Sequence, residues 1–439
     1  MTRAPRGAIG PPQTTTAGTL DAGAHVTPPS TAPGPMTKRT RRHVDDLRGA
    51  GKLAIEATKG VTAVVEAMHR TIASGPGVLG KPLALPARAM TGVVYGSIRG
   101  VTGLVGAGLD RALEKLGPLL GESVPGPERE AVVSALNGVL GDYLRDTANP
   151  LAITMQLRAG GATLAIDRDA LGAAFPDAAA ERARKILLLV HGSSMNDLQW
   201  SRHGHDHGAA LARDLGYAAI YLHYNTGLHV STNGRALADL LERLAAAWPA
   251  EVDEIAIVGH SMGGLVARSA CHYAEEAGHA WRARLRNWVS LGTPHHGAPL
   301  ERGGNWVDFL LTISPYSAPL AALGKIRSAG VTDLRFGAVL DEHWQARDRF
   351  ARGSDPRGRL SLPSGVRSFA VAGTKGAAGT EELPGDGLVP VDSALGRHAK
   401  PELSLPFPDA HRRIAYETDH LALLERIEVY EAIRDWLTP

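Results

Sequence analysis

The chain has 439 residues, 44% of them hydrophobic and 21% charged, with a formal net charge of +2. That balance excludes an acidic disordered chain and offers no electrostatic footprint for nucleic acid, so no nucleic-acid partner is expected. The single cysteine, Cys271, cannot close an intramolecular disulfide, which is compatible with a reducing compartment.

Residues 1–46 are expected to form a disordered tail. The first 35 are rich in Pro, Thr, Gly and Ala and contain no apolar core of signal-peptide length. Met36 and the basic "TKRTRR" follow, and a start at Met36 is equally natural. Residues 47–149 carry a helical pattern and are expected to form an accessory region. Val61, Val65, Met68 and Ile72 recur at helical spacing, and Val94, Ile98, Val101, Val105 and Leu109 do the same further on. A third helix is expected after "PGPERE". There Pro127 suits the first turn, and Glu128 and Glu130 suit the positive end of the dipole. Its apolar side is Val132, Leu136, Val139, Leu140 and Tyr143. Gly92, Gly96 and Gly100 would permit close helix contact in a membrane, but Arg99 ends the run well short of the ~20 residues a span needs. Soluble helix packing in a cytoplasmic protein is the expectation. Peripheral membrane association through this N-terminal region is the alternative.

Near Pro150 the period changes from helical to alternating. "AITMQLRAGGATLAID" predicts a hairpin turning at Gly160 and Gly161. Apolar runs then alternate with helical patterns. "KILLLV", "AAIYLHY", "EIAIVG", "RNWVSLG" and "VRSFAVAG" are expected as strands buried on both faces of a mainly parallel α/β sheet. Residues 150–439 are thus expected to form one α/β domain, with its site at the carboxyl ends of the strands.

Within that domain, "VGHSMGG" places Ser261 between Gly259 and Gly263, after a buried strand and before a helix. This is the pattern of a nucleophile elbow, whose turn is too tight for side chains at the two glycine positions. A serine hydroxyl needs a base, and the base needs an orienting acid. In this arrangement the acid and then the histidine follow the serine along the chain. His420, in "YETDHLALLER", stands just after a short apolar run, as a base on a strand-end loop should. His398, His411, His343, His295 and His296 lack that setting. Asp386, between Gly385 and Gly387, is the favoured acid over Asp392 and Asp419. For an oxyanion, the amide of Met262 supplies one donor. The second is expected from "HGSSMND", at the amide of Ser193, with Ser194 next.

The pieces "LLLVHG", "GHSMGG", "LGTPHHGAP", "GDGLVP" and "DH" resemble the α/β-hydrolase superfamily, in its bacterial serine lipase and esterase branch, and are similar to glycosylphosphatidylinositol inositol deacylase-like proteins. The resemblance covers roughly residues 150–439. It implies a Ser261–Asp386–His420 triad with oxyanion amides at Ser193 and Met262, and pocket-shaping rather than chemical roles for His295 and His296.

The insert at about 303–352 carries Trp306, Phe309, Leu310, Leu311 and Ile313. It is too long for a simple connection and is expected to be a helical cap favouring apolar acyl esters, a helix packed on the core being the alternative. "RHGHDHG" offers His203, His205, Asp206 and His207, but its spacing does not match a metallohydrolase site, and it is expected to be a polar loop opening a helix. The expected function is a serine carboxylic-ester hydrolase acting on a small-molecule or lipid ester without metal or cofactor. The alternatives are an acyltransferase or thioesterase using the same residues, or a catalytically idle binding or membrane-docking module.

Overall fold

The computed structural model describes residues 126–179, 184–298, 328–345, 355, 357–358, 360–381 and 383–438. All of them belong to one compact unit. The two helices expected before residue 126, and most of the cap expected at 303–352, lie outside the described residues.

Among the described residues, eight strands form one sheet: β1 Gln156–Ala159, β2 Ala162–Thr163, β3 Lys185–Val190, β4 Ala218–His223, β5 Glu254–His260, β6 Leu285–Leu291, β7 Arg367–Gly373 and β8 Arg412–Ala415. Their order is β2-β1-β4-β3-β5-β6-β7-β8. The hairpin β1–β2 closes on Gly160 and Gly161, at φ 55° and 76°, values that glycine adopts without steric cost. β1 joins β4 antiparallel, and every pair from β4 through β8 is parallel. The central strands are buried on both faces, so the sequence shows them as continuous apolar runs rather than alternating ones.

Among the described residues, five longer helices surround the sheet: α1 Pro127–Asp146, α2 His207–Leu215, α3 Val230–Ala247, α4 Met262–Ala277 and α5 Ile427–Leu437. α3 turns Leu237, Leu240, Leu241 and Leu244 inward at helical spacing. Burying each such side chain contributes roughly 1.5–3 kcal/mol. α4 is buried on most of its circumference, and Cys271 within it is a small core residue whose thiol burial pushes up to about 12. α2 begins at Asp206, whose carboxylate accepts the Ala209 amide at 3.0 Å, and it ends on Gly216 at φ 74°.

α1 departs from the sequence expectation. Its stripe of Val132, Leu136, Val139 and Leu140 is buried as anticipated, but inside the same core as the sheet, not in a separate accessory region ending at 149. Asn137 donates to the Leu151 carbonyl at 2.8 Å and accepts the Ile153 amide at 2.9 Å. Ser328 donates to the Gly138 carbonyl at 2.6 Å. The change of period at Pro150 therefore marks a change of element within one packed unit. A mainly parallel sheet with an antiparallel strand at one side, helices around it and a strand–serine–helix turn at a central strand constitutes the α/β-hydrolase fold.

Candidate active site

Ser261 caps α4 at φ 54° and ψ −124°, a backbone region that side chains avoid. The two glycines are required by contact. A Cβ on Gly259 would sit 2.6 Å from the Gly264 Cα, and one on Gly263 would sit 2.1 Å from the Val190 carbonyl oxygen. The turn is held by the Ser261 amide donating to Leu291 at 2.8 Å and the Gly264 amide donating to Ser261 at 3.1 Å.

Asp386 follows β7, and His420 follows β8. His420 Nδ1 lies 2.7 Å from Asp386 Oδ2, and both side chains are essentially buried. The other carboxylate oxygen, Oδ1, accepts the amides of Leu388 at 2.9 Å and Val389 at 2.8 Å. Gly385 and Gly387, at φ 78° and 99°, let the loop fold back around that carboxylate. A carboxylate at Nδ1 places the imidazole proton there and leaves the Nε2 lone pair outward. Nε2 is buried and has no hydrogen-bond partner among the described residues. Ser261 Oγ is therefore not hydrogen-bonded to it, as is common for such pairs without substrate.

The end of β6 brings these groups together. The Leu291 carbonyl holds the Ser261 amide. A Cβ on Gly292, the next residue, would lie 3.1 Å from Asp386 Oδ2 and 3.2 Å from His420 Cε1. His260, beside the serine, donates from Nε2 to the His420 carbonyl at 2.9 Å, and the two rings lie 4.7 Å apart. Burial, reinforced by His420, holds His260 well below the ordinary imidazole range, so it stays neutral.

The loop after β3 lies against the serine: a Cβ on Gly192 would be 3.0 Å from Ser261 Cβ. Two anchors fix this loop. Tyr224 donates its hydroxyl to the His191 carbonyl at 2.8 Å, and the Ser194 amide donates to Thr226 Oγ1 at 3.0 Å. Ser194 thereby loses its candidacy as an oxyanion donor. The Ser193 amide donates to no group among the described residues, and the Met262 amide stands at the first position of α4, where no intrahelical acceptor exists.

Below the loop lies a buried charge cluster. Arg158 Nη1 is 3.0 Å from Asp197 and 3.3 Å from Glu130, and His223 Nδ1 is 3.1 Å from Asp197. Burial alone would raise the Asp197 carboxyl, but His223 and Arg158 outweigh it and hold it below the ordinary carboxylate range. The cluster ties α1, β1 and the end of β4 to the helical turn Asp197–Trp200, which continues the Ser193 loop. Sequence reasoning missed it, along with His260, Thr226 and Tyr224. Their partners lie up to 160 residues away along the chain, and no local pattern marks them.

The rival candidates have other occupations. Asp392 is largely exposed and pairs with Arg397 at 3.5 Å. Asp419 accepts the amides of Leu421 and Ala422. His411 bonds the Ser368 carbonyl, His398 Nδ1 accepts the Lys400 amide, and His343 Nδ1 faces the amides of Val339 and Leu340. His295 is buried beside Trp288 and Phe407, while His296 faces Arg357 and His398. In "RHGHDHG", His205 Nε2 meets His207 Nδ1 at 2.8 Å, and His207 Nε2 meets the Leu423 carbonyl at 3.0 Å. Among the described residues, no group of three His, Cys, Asp or Glu is placed to hold a metal ion. No helix among them is long and apolar enough to cross a membrane.

Residues 162–335 match a family model described as a domain of unknown function, DUF7379, which spans less than half of the chain. No curated protein is detectably similar in sequence. Among solved structures, a Bacillus licheniformis lipase in its mature form is 21% identical, with 58% of this chain and 93% of that one covered and a TM-score of 0.38. An esterase from Thermogutta terrifontis is 17% identical over 58% of this chain and 90% of its own, with a TM-score of 0.33. The phospholipase PlaB from Legionella pneumophila is 18% identical over 48% and 44%, with a TM-score of 0.30. At these scores the likeness decides nothing about substrate or reaction.

Proposed function

We propose that this chain is a serine carboxylic-ester hydrolase. Ser261 Oγ attacks the ester carbonyl carbon while His420 Nε2 takes its proton. Asp386 keeps the imidazole in the required tautomer and stabilises the imidazolium that forms. The Met262 and Ser193 amides receive the oxyanion. His420 then returns the proton to the departing alcohol, and water repeats the sequence on the acyl-enzyme. No metal or organic cofactor takes part. The supporting observation is the buried 2.7 Å contact between His420 and Asp386, with His420 Nε2 unpartnered among the described residues and Ser261 on a strained strand–helix turn.

The acyl group proposed is apolar, because the insert beginning near 303 is rich in large hydrophobic side chains. Acylated inositol lipids, by the sequence resemblance, are one candidate class. Hydrolysis of p-nitrophenyl esters of graded length by the full chain tests both levels of the proposal. A kcat/KM rising steadily from acetate to decanoate is expected. A sharp preference for acetate would refute the apolar acyl pocket, and no turnover at any length would refute the hydrolase reading. Adding a competing alcohol separates hydrolysis from acyl transfer by the products formed.

A further inference from the structure

We infer that Thr226 is a positioning residue for the Ser193 amide, acting by holding the neighbouring Ser194 in a strained backbone conformation. The inference rests on the hydrolase reading and adds to it how the second oxyanion donor is kept in place. Ser194 stands at φ 60°, in the left-handed region that a residue with a side chain enters only at a steric cost. Such a conformation persists where the surroundings over-determine it. Here they close in from two sides. The Ser194 amide donates to Thr226 Oγ1 at 3.0 Å. On the other side Gly138 of α1 approaches so closely that a Cβ there would lie 1.9 Å from Ser194 Oγ. That hydroxyl is buried and has no hydrogen-bond partner among the described residues, so it does not hold the conformation. The bond to Thr226 does.

The Ser193 N–H lies one peptide plane away, in the Gly192–Ser193 peptide. In the preceding peptide, the His191 carbonyl accepts the Tyr224 hydroxyl at 2.8 Å. In the following peptide, the Ser194 N–H is held by Thr226. The middle peptide's own carbonyl, on Gly192, accepts the Met195 amide at 3.4 Å and lies 2.9 Å from His191 Nδ1. A trans peptide turns its C=O and N–H to opposite sides, so the engaged Gly192 carbonyl leaves the Ser193 N–H facing the other way. Releasing the Ser194 amide would free one of the two planes that flank it.

Thr226 is itself firmly placed. It is buried in the turn after β4. The Asn225 side chain of that turn donates to the Gly141 carbonyl of α1 at 2.9 Å, and the Asn225 carbonyl accepts from the Asn233 side chain of α3 at 2.9 Å. The Gly330 amide donates to the Gly227 carbonyl at 3.1 Å. Without the Thr226 oxygen, Ser194 is free to relax toward negative φ and to carry the Ser193 amide with it. A glycine at 194 has no such reason to relax, since it adopts positive φ without steric cost.

The test measures kcat and KM of the full chain on a p-nitrophenyl ester, with melting temperatures alongside. The variants are Thr226→Val and Thr226→Ser, then Thr226→Val on Ser194→Gly and Ser194→Ala backgrounds. T226V should lose about 10²-fold in kcat with KM little changed, the effect of losing one oxyanion donor. T226S keeps the oxygen and should match the parent. On the S194G background T226V should cost less than about tenfold, because glycine holds the conformation unaided. On the S194A background it should cost the full amount. An equal loss on both backgrounds, a loss confined to KM, a T226V with parental kcat, or a T226S as slow as T226V would overturn the inference and leave the hydrolase reading standing. A parent that turns over no ester would overturn both. Should T226V fail to fold, T226A takes its place in the same comparison, with the same expected and overturning results.

Discussion

Replacing Asp386 with Asn should abolish turnover while leaving the fold standing. The Asn oxygen can keep accepting the Leu388 and Val389 amides, at 2.9 and 2.8 Å in the parent chain, so the loop retains its bonds. The new NH2 must then face His420 Nδ1, where a carboxylate oxygen now sits at 2.7 Å. An N–H donor there demands a lone pair on Nδ1 and moves the imidazole proton to Nε2. In that tautomer Nε2 cannot accept the serine proton. Changes of this kind cost about 10⁴ in kcat, or about 5.5 kcal/mol of transition-state stabilisation. The assay is kcat and KM on a p-nitrophenyl ester for the parent, D386N and D392N, with melting temperatures alongside. D386N should lose about 10⁴ in kcat and melt within a few degrees of the parent. D392N should match the parent, since Asp392 is exposed and its ion pair is with Arg397 at the surface. If D386N stayed within tenfold of the parent, the tautomer argument would be wrong.

The Ser193 loop and a buried histidine give two further predictions. A Cβ on Gly138 would lie 1.9 Å from Ser194 Oγ and 2.9 Å from its Cα, so Gly138→Ala must displace the loop that carries the Ser193 amide. The expected result is a fall of about 10²-fold in kcat with KM little changed, the signature of a lost oxyanion donor; equal effects on KM alone would count against it. His207 is lowered to about 4, chiefly by burial, against an ordinary value of 6.5. Its neutral form belongs to the folded state, so its stabilising contribution is complete above pH 6.5 and is lost as pH falls toward 4. That amounts to about 3 kcal/mol at 1.36 kcal/mol per pH unit. Thermal melting between pH 7 and 4 should show the decline, to which buried His260 also contributes, and His207→Gln should make it shallower; an unchanged slope would exclude His207 as a source.

The site was legible where its constraints are local. Gly259 and Gly263 are forced by contacts within one turn, and the strand before Ser261 and the helix after it announce themselves by apolar pattern. Asp386 and His420 stand out in the sequence because each follows a strand end, and the fold brings the two side chains within 2.7 Å of each other. Between the amides of Ser193 and Ser194 the sequence offers no contact to distinguish them. What separates them is Thr226 Oγ1 holding the Ser194 amide, a contact set by β4 lying beside β3. The membership of α1 in the core was hidden for the same reason. Its periodicity shows an apolar face but not what covers it, and the covering is done by Asn137 reaching Leu151 and Ile153. The Glu130–Arg158–Asp197–His223 cluster is the extreme case: four charged or titratable side chains from four elements, each unremarkable in its own neighbourhood.

The central claim is that Ser261 is a nucleophile activated by His420. Intact-mass analysis and peptide mapping of the full chain after treatment with a fluorophosphonate test it most directly. A single adduct on the peptide containing Ser261, absent from Ser261→Ala and formed far more slowly in His420→Ala, is the predicted result. A folded protein that takes up no label, or takes it up equally after loss of that serine, would contradict it.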